Sequence, residues 1–478
     1  MSKRTCAVIA GLLLSGAICA QDSSGINERI TLKQCIEMAL DHNLQVRQNE
    51  LQAQTNEIGV QQAKANLLPS LNANGSQGMN SGKSIDPFTN NYVDQNVSYG
   101  NYNLVSGVTL FSGFVLQNSI RQNALIYEAS KMDLQQSKDN LTLSVLLAYL
   151  QVLSNEDLLV IAREQAAVTR EQQQRLEILN RDGAIAPSAL YDVKGQYASD
   201  QLNLVNAQSA LDNARLNLFQ QMNVPYRRNV QMERLPLDTS MNMYGVTSDS
   251  IYHTALEKLA LVKAANLRIQ SAEKGVKVAQ SQLYPTLSLS GSLNSNYSSA
   301  ATTSTILNTT DIATQNYILI NGNKNFLFTP QSTFSFSKVP YTDQVSNNFN
   351  TSISLGLHVP IFNSFQVKNR IKLAKIQLRN NELVAQSTRV QLQQSVEQAY
   401  QNMLAAYSRY QASIEQVAAY QVSFRAAEIR FNAGASTSVD YIIAKNNIDR
   451  ANINLTANKY DYIFRTKILD FYQDKALW

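Results

Sequence analysis

The longest regular pattern of hydrophobic and polar positions in this sequence is helical. Residues 114–182 contain neither glycine nor proline. In this stretch apolar or small residues recur at alternating spacings of four and three, at Leu141, Val145, Ala148, Val152, Leu159, Ala162 and Ala166. This spacing predicts a seam along one face of a helix about 100 Å long. Because so long a helix has no core of its own, it needs partner helices of similar length.

A second stretch, residues 362–433, repeats this pattern. Its seam is formed by apolar or small residues at similar spacings: Leu392, Val396, Ala399, Met403, Ala406, Tyr410, Ile414 and Val417. Gly183 follows the first stretch and Gly434 follows the second, and these two glycines are 251 positions apart. The pairs Ala148-Tyr149 and Ala399-Tyr400 have the same separation. The chain is therefore predicted to contain an internal duplication.

Each half also contains two segments in which apolar residues alternate with polar or small ones, which predicts β-strands. In the first half they begin at Leu71 and at Tyr99, and in the second at Leu287 and at Ile353. Each segment has about the 9–11 residues that a tilted strand needs to cross a bilayer. The polar segments between the paired strands, residues 77–95 and 297–345, are predicted to be loops.

Four segments follow from these patterns. Residues 1–20 are predicted to be a secretory signal, because Lys3 and Arg4 precede an apolar run that ends in small residues. Residues 21–224 form the first helix-strand-strand-helix-helix repeat, residues 225–245 the connection between repeats, and residues 246–478 the second repeat. After the signal no apolar run reaches about 18 residues, so the sequence predicts no transmembrane helix.

The predicted strands set a requirement on the assembly if they cross a bilayer. Lipid offers no hydrogen-bonding groups, so no sheet edge can stay open there. Four strands cannot close a barrel with a useful lumen, whereas three chains would supply twelve. A soluble β-sandwich is the alternative explanation for the alternating segments. That alternative leaves the very long helices without a purpose.

Composition and charge indicate no catalytic chemistry. The chain has 478 residues, of which 16% are charged, and a formal net charge of +5. No basic cluster indicates nucleic acid. His42, His253 and His358 form no ligand pair, and the sequence contains no phosphate-binding loop or nucleophile elbow. We therefore expect no enzyme activity, no metal and no cofactor. Cys35, the one cysteine after the signal, is expected to be a small buried residue.

Short motifs lie at equivalent places in the two halves. Leu67-Leu68-Pro69 and Leu283-Tyr284-Pro285 precede the first strand of each pair, and Leu110-Phe111-Ser112-Gly113 and Val359-Pro360-Ile361-Phe362-Asn363 follow the second. Arg430-Phe431-Asn432-Ala433-Gly434, with Ser438 and Asp440 after it, ends the second long helix. With these motifs in this order, the chain after the signal resembles the TolC-like outer-membrane efflux channels over essentially its whole length.

The resemblance implies a fold that is mainly α with transmembrane β. Three protomers would form a twelve-stranded barrel in the outer membrane, continued by a twelve-helix coiled-coil barrel through the periplasm. Residues 225–245 would lie in the equatorial region of this assembly. The resemblance further implies a homotrimer whose partners are outer-membrane lipid, a periplasmic adaptor protein and an inner-membrane pump, and no nucleic acid.

The function that the resemblance implies is that of a passive conduit. It would carry substrates from an inner-membrane pump and an adaptor across the outer membrane. The outer-membrane exporter of a type I protein or peptide secretion system would use the same conduit. A non-conducting coiled-coil structural protein of the envelope is an explanation of a different class, which accounts for the helices and the signal but not for the paired strands.

The resemblance places the adaptor contact at the far ends of the two helical hairpins. The candidate docking residues are Gly183, Ala184, Ile185, Gly434, Ala435 and Ser436. The alternative is that these residues only form turns.

The resemblance also places an acidic ring at a narrow periplasmic entrance, and Asp440 matches this position. Three carboxylates around a pore would repel one another and attract cations. Ile443 stands where better-known members have a second acid, and Ala189 is the equivalent of Asp440 in the first repeat. The entrance constriction is therefore expected to be less acidic and more apolar. The alternative is that Asp440 is an ordinary solvated carboxylate.

Overall fold

Apart from two short strands of the first half and one short helix of the second, the described helices and strands follow one another in the same order in the two halves of the chain. A computed structural model describes residues 29–85, 90–94, 96–227, 230–234 and 241–475. The predicted signal and parts of the predicted connection lie outside these residues. The first half contains β1 (Arg29–Ile30), α1 (Leu32–His42), α2 (Leu44–Ala65), β2 (Ser70–Asn80), β3 (Lys83–Ile85), β4 (Tyr92–Asp94), β5 (Val97–Ser112), α3 (Val115–Arg181), α4 (Pro187–Met222) and β6 (Gln231–Met232). The second half contains α5 (Ser248–Lys258), α6 (Ala260–Ser281), β7 (Thr286–Ser298), β8 (Thr302–Ile320), β9 (Asn323–Lys338), α7 (Tyr341–Asn347), β10 (Asn350–His358), α8 (Gln366–Asn432) and α9 (Ser438–Tyr472).

The two long helices α3 and α8 each have 67 residues. All the predicted seam residues of α3, from Leu141 to Ala166, are buried. The seam of α8 is covered less completely, since Val396 and Met403 are buried whereas Ile414 is exposed. The chain therefore supplies partners for the whole seam of α3 but for only part of the seam of α8.

Two predicted helix boundaries are wrong. Apolar residues such as Ile36, Leu40 and Leu44 recur at helical spacing between residues 30 and 67, which predicts a single helix. The structure divides this helix at Asn43, because the Asn43 side-chain oxygen accepts hydrogen bonds from the backbone N–H groups of Gln45 (2.9 Å) and Val46 (3.2 Å). This cap starts a new helix. The second long helix begins later than predicted, because Ser364 and Phe365 have φ angles of 52° and 60°. A right-handed helix cannot include residues with positive φ.

The predicted strands form one antiparallel sheet in the order β10-β7-β5-β2. In its register, Ser70 pairs with Gly107 and Asn350 pairs with Asn294. β2 and β10 are the edge strands, and each pairs with one neighbour only among the described residues. Within one chain, the sheet is therefore open on both sides.

The prediction that residues 297–345 form a loop is wrong. This segment contains the antiparallel hairpin β8–β9 and the short helix α7. The hairpin turns at Asn321 and Gly322, and their φ angles of 52° and 84° are those of a type I′ turn. The predicted loop at residues 77–95 is also partly strand, since β2 extends to Asn80 and β3 pairs with β4.

The chain forms two compact units, and each draws residues from both halves of the sequence. The first unit comprises residues up to 48, 135–259 and from 391 onward. In it the hydroxyl of Tyr149 on α3 donates hydrogen bonds to the carbonyl oxygens of Ile30 (3.1 Å) and Glu233 (2.6 Å), which joins α3 to the parallel pair β1–β6. The second unit comprises residues 49–134 and 260–390 and contains the four-stranded sheet. The predicted repeats follow the duplication along the chain rather than these units, and their boundaries remain predictions.

One described helix, Val115–Arg181, contains an 18-residue window that is long and apolar enough to cross a membrane, with a mean hydropathy of 1.5. The sequence predicted no transmembrane helix, because no continuous apolar run reaches about 18 residues. The residues of the window are 61% buried inside the structure. This burial is typical of a helix in a protein core.

Cys35 on α1 provides a test of the first unit. Its side chain is fully buried, as predicted, and burial raises the pKa of the Cys35 thiol to about 12. Because the thiolate is the reactive form, Cys35 should not react with a maleimide at pH 8 in the folded protein and should react after unfolding. The matched control is Glu37→Cys in a Cys35→Ser background, because Glu37 lies on the exposed face of the same helix. Rapid labelling of native Cys35 would contradict the described packing of α1.

Candidate functional site

The two helical hairpins turn through the same backbone motif. At the end of α3 the N–H of Ala184 donates to the carbonyl of Leu179 (2.9 Å), and at the end of α8 the N–H of Ala435 donates to the carbonyl of Arg430 (2.8 Å). Gly183 and Gly434 both have a φ angle of 72°. These are the hydrogen bonds and the left-handed residue of a Schellman motif. A Cβ at either glycine would meet no atom within 4 Å, so the backbone angle rather than space requires glycine there.

The six candidate docking residues divide into two groups. Gly183, Ala184, Gly434 and Ala435 are exposed, whereas Ile185 and Ser436 are half-buried. Ile185 packs against a small apolar cluster formed by Leu176, Leu190 and Val193, which Phe431 also contacts. The Oγ atom of Ser436 is buried and has no hydrogen-bond partner among the described residues. The four exposed candidates are therefore small residues, whereas the side chains of Ile185 and Ser436 are partly covered by the protein.

Direct contacts join the two hairpin ends. Arg175 on α3 donates hydrogen bonds to the side-chain and backbone oxygens of Asn432 on α8. The hydroxyl of Ser438 on α9 donates to the Asp192 carboxylate on α4 at 2.8 Å. Phe431 stacks on Tyr441 with 5.0 Å between the ring centroids. Because all these residues belong to the first unit, the two ends form one continuous surface.

Asp440 has a structural role at the start of α9. Its carboxylate accepts hydrogen bonds from the backbone N–H (3.2 Å) and the hydroxyl (2.8 Å) of Thr437, and the Thr437 side chain accepts from the backbone N–H of Asp440. This arrangement is a capping box. The hydrogen bonds from Thr437 lower the pKa of the Asp440 carboxyl, which stays exposed and charged. The equivalent start of α4 has no side-chain cap and begins with Pro187.

The other candidate of the entrance is apolar and exposed. Ile443, one turn after Asp440, is 55% exposed. Ala189, the equivalent of Asp440 in the first repeat, is half-buried. Asp440 and Ile443 are therefore both exposed near the start of α9, and their place at an entrance constriction stays a prediction.

A buried charge cluster that the patterns in the sequence did not predict lies below the tips, and we call it the Lys445 cluster: Lys445, Asp200, Asp449 and Thr169. Lys445 is 1% exposed and Asp200 is 3% exposed, and the Lys445 ammonium lies 2.9 Å from the Asp200 carboxylate. Lys445 also pairs with Asp449, and Thr169 on α3 donates to Asp200. Burial raises the pKa of the Asp449 carboxyl, and the nearby Lys445 ammonium opposes this effect. The cluster joins α3, α4 and α9.

A signal for this cluster was present in the sequence. Tyr441, Lys445, Ile448 and Ala451 are all buried at helical spacing on α9. Lys445 therefore occupies a position of the apolar stripe, where an unpaired ammonium would be very costly. A charged residue at such a position predicts an opposite charge on the facing helix, although not which residue carries it.

Removal of one partner from the Lys445 cluster tests its role in joining the hairpins. Lys445→Met leaves two carboxylates buried without their cation, which should lower the free energy of unfolding by about 3–5 kcal/mol. The matched control is Lys33→Met, because Lys33 is exposed on α1 and should change stability by less than about 0.5 kcal/mol. Urea unfolding in detergent, followed by circular dichroism, measures both. Equal midpoints for the two variants would show that the cluster does not stabilise the hairpins.

Comparison with known proteins identifies the family. Residues 35–224 and 251–466 match the family model "Outer membrane efflux protein", which covers most of the chain. Outer membrane protein TolC of Escherichia coli (strain K12) is 23% identical over 472 residues, which cover 96% of this chain and 84% of TolC.

Solved structures share the fold. The CmeC outer membrane channel of Campylobacter jejuni has a TM-score of 0.72 at 14% identity, over 93% of this chain and 87% of CmeC. The outer membrane protein VceC of Vibrio cholerae has a TM-score of 0.69 at 15% identity, over 92% of this chain and 94% of VceC. The chain is an outer-membrane protein and belongs to the outer membrane efflux protein family.

Proposed function

We propose that three copies of this chain form a channel that conducts substrates passively across the outer membrane. In this proposal an inner-membrane pump and a periplasmic adaptor deliver the substrates and supply the energy. The observation that supports the proposal most strongly is the four-stranded sheet with two open edges and one apolar face.

The two edges of the sheet are complementary. Neighbouring strands in the order β10-β7-β5-β2 are antiparallel, so β10 and β2 run in opposite directions. β10 of one copy can therefore form an antiparallel pair with β2 of the next copy. In lipid, an edge without such a partner would leave a row of unpaired N–H and C=O groups, each at a cost of several kcal/mol. Three copies close the ring with twelve strands, an even number like that of known barrels.

The two faces of the sheet differ in polarity. Ile353, Leu355 and Leu357 of β10 lie on one face and are exposed. On the other face, serine hydroxyls form hydrogen-bonded pairs between strands, Ser290 with Ser354 at 2.7 Å and Ser292 with Ser352 at 2.8 Å. A lipid-facing apolar side and a water-facing polar side are what a strand of a membrane channel requires.

The helices also have faces that their own chain leaves uncovered. Tyr191, Leu202 and Val205 on α4 are exposed, and so are Val422 and Ile429 on α8. Apolar stripes of this kind on long helices are typical of surfaces that pack on further helices. We assign these stripes to contacts between neighbouring copies in a ring of twelve helices.

The exposed residues of the hairpin ends are the proposed adaptor contact. Ala184→Asp or Ala435→Asp should weaken binding of the adaptor protein at least about tenfold, because an interface would bury the new charge without a partner. The matched controls are Ala184→Ser and Ala435→Ser, which add a polar atom but no charge. Pull-down with the purified adaptor and drug export by whole cells measure the effect. Unchanged pull-down and export in both Asp variants would remove the tips from the docking surface.

Asp440 is the proposed acidic group of the entrance, and its capping role calls for two variants. Asp440→Asn removes the charge and keeps a side-chain oxygen for the cap, whereas Thr437→Val weakens the cap and keeps the charge. If three Asp440 carboxylates line the pore, Asp440→Asn should raise conductance in a planar bilayer or abolish block by cations, and Thr437→Val should do neither. The proposal fails if both variants conduct and are blocked like the original protein.

A further inference from the structure

The hairpin β8–β9 has a large apolar surface that its own chain does not cover. β8 and β9 form a two-stranded sheet and pair with no third strand among the described residues. The exposed side chains include phenylalanines, aliphatic residues and a tyrosine: Ile306, Leu307, Tyr317, Leu319, Phe326, Phe328, Phe334 and Phe336. The side chain of Phe336, for example, is 70% exposed.

The apolar residues of β9 lie mostly on one face. The register shifts of the hairpin fall in β8, so the alternation along β9 is regular. One face carries, in order, Lys324, Phe326, Phe328, Pro330, Ser332, Phe334, Phe336 and Lys338. Its four phenylalanines therefore form two pairs, separated by a proline and a serine, with a lysine at each end. The other face carries mainly small polar residues, with Leu327 as the exception: Leu327, Thr329, Gln331, Thr333, Ser335 and Ser337. Ile306 and Tyr317 of β8 pair with Phe334 and Phe326, so they extend the same surface, which we call the phenylalanine face. Asp311 pairs with Pro330 and lies between the two phenylalanine pairs, whereas the other isoleucines of β8 pair with residues of the opposite face: Ile312, Ile318 and Ile320.

An exposed phenylalanine face requires a covering partner. An isolated two-stranded sheet is at best marginally stable in water and gains stability by packing one face against another element. Contiguous exposed apolar surface of this kind usually marks an interaction site.

The charges of the hairpin argue against a lipid surface as that partner. Asp311, Lys324 and Lys338 are the charged residues of the 302–338 segment. Elements that bind membrane surfaces are rich in Lys and Arg on their polar face, whereas the polar face of β9 has none. The hairpin is also not needed to cross the bilayer, because β7 before it already has 13 residues and about 9–11 suffice.

The position of the hairpin in the sheet favours a second copy of this chain. The hairpin connects β7 to β10, and β10 is the edge strand that would pair with the neighbouring copy in the proposed ring. We propose that the phenylalanine face of each β8–β9 hairpin packs against the hairpins of the other copies. This inference rests on the proposed trimer and adds an interface that the barrel itself does not require.

Single cysteines on neighbouring residues of β9 test this inference. In a Cys35→Ser background, Phe336→Cys places a thiol on the phenylalanine face and Ser337→Cys places one on the opposite face. Both residues are exposed in one chain, so neither change should prevent folding. In the trimer, we expect the thiol of the Phe336→Cys variant to react about tenfold more slowly with a water-soluble maleimide than the thiol of the Ser337→Cys variant, because packing buries it. A short bis-maleimide should join two copies through at least one of the thiols introduced at positions 328, 334 and 336.

The outcomes separate this inference from the proposed function. Equal reactivity of the Phe336→Cys and Ser337→Cys variants would overturn the inference, and so would the absence of cross-links at all three positions. Protection of the thiol at position 336 in liposomes but not in detergent would indicate lipid as the partner and would also overturn it. The mass of the detergent-solubilised protein is measured in parallel. A trimer without protection refutes only the interface, whereas a monomer refutes both proposals.

Discussion

The structure depends on one constraint, which is that backbone N–H and C=O groups in a bilayer must pair with one another. Among the described residues, the edge strands β2 and β10 of the four-stranded sheet each pair with a strand on one side only. Water would satisfy these groups, but lipid does not. If the sheet crosses the outer membrane, as we propose, the single chain is an incomplete structure. The antiparallel directions of β2 and β10 allow further copies of the same chain to complete it.

The long helices also have apolar residues that their own chain leaves exposed. The seam of α3 is buried within the chain, whereas Ile414 on α8 and the stripe on α4 remain exposed. Two features connect the helices of the hairpins despite this exposure. Repeated Schellman motifs at Gly183 and Gly434 return the chain at the tips, and the Lys445 cluster joins three helices below them. A buried ion pair is weak evidence for stability, but it fixes which residues face each other.

Features with a single strong local cause were predictable from the sequence. The period of the α3 seam depends only on apolar spacing, and all its predicted residues are buried. Thr31 directly precedes the first helical pattern, and a threonine oxygen can accept a backbone N–H, which predicts that Thr31 caps α1. The cap is present, together with a capping box formed with Gln34. The glycines at the hairpin ends were found because few other residues adopt a positive φ angle. The alternation of apolar and polar residues predicted the four strands, but it did not predict their order in the sheet.

The features that the sequence did not predict are of two kinds. In some segments two local structures are both compatible with the sequence, and in others the contacts join residues far apart in the sequence. Asn43 can occupy a helix, but its side chain caps the next helix and divides the predicted one. The β8–β9 hairpin is rich in Ser, Thr and Asn, which are common in loops, although the Asn321-Gly322 turn was a usable signal. The Lys445 cluster joins residues far apart in the sequence, so spacing alone could not pair Lys445 with Asp200. The place of Asp440 at a pore entrance stays a prediction, whereas its place in a capping box follows from Thr437 three residues earlier.

The most direct test of this account is an electron cryo-microscopy map of the full-length protein purified from outer membranes in detergent. We expect a ring of three copies around an open axis, in which β10 of each copy is hydrogen-bonded to β2 of the next. A map of a single folded copy, with β2 and β10 both unpaired, would contradict the account.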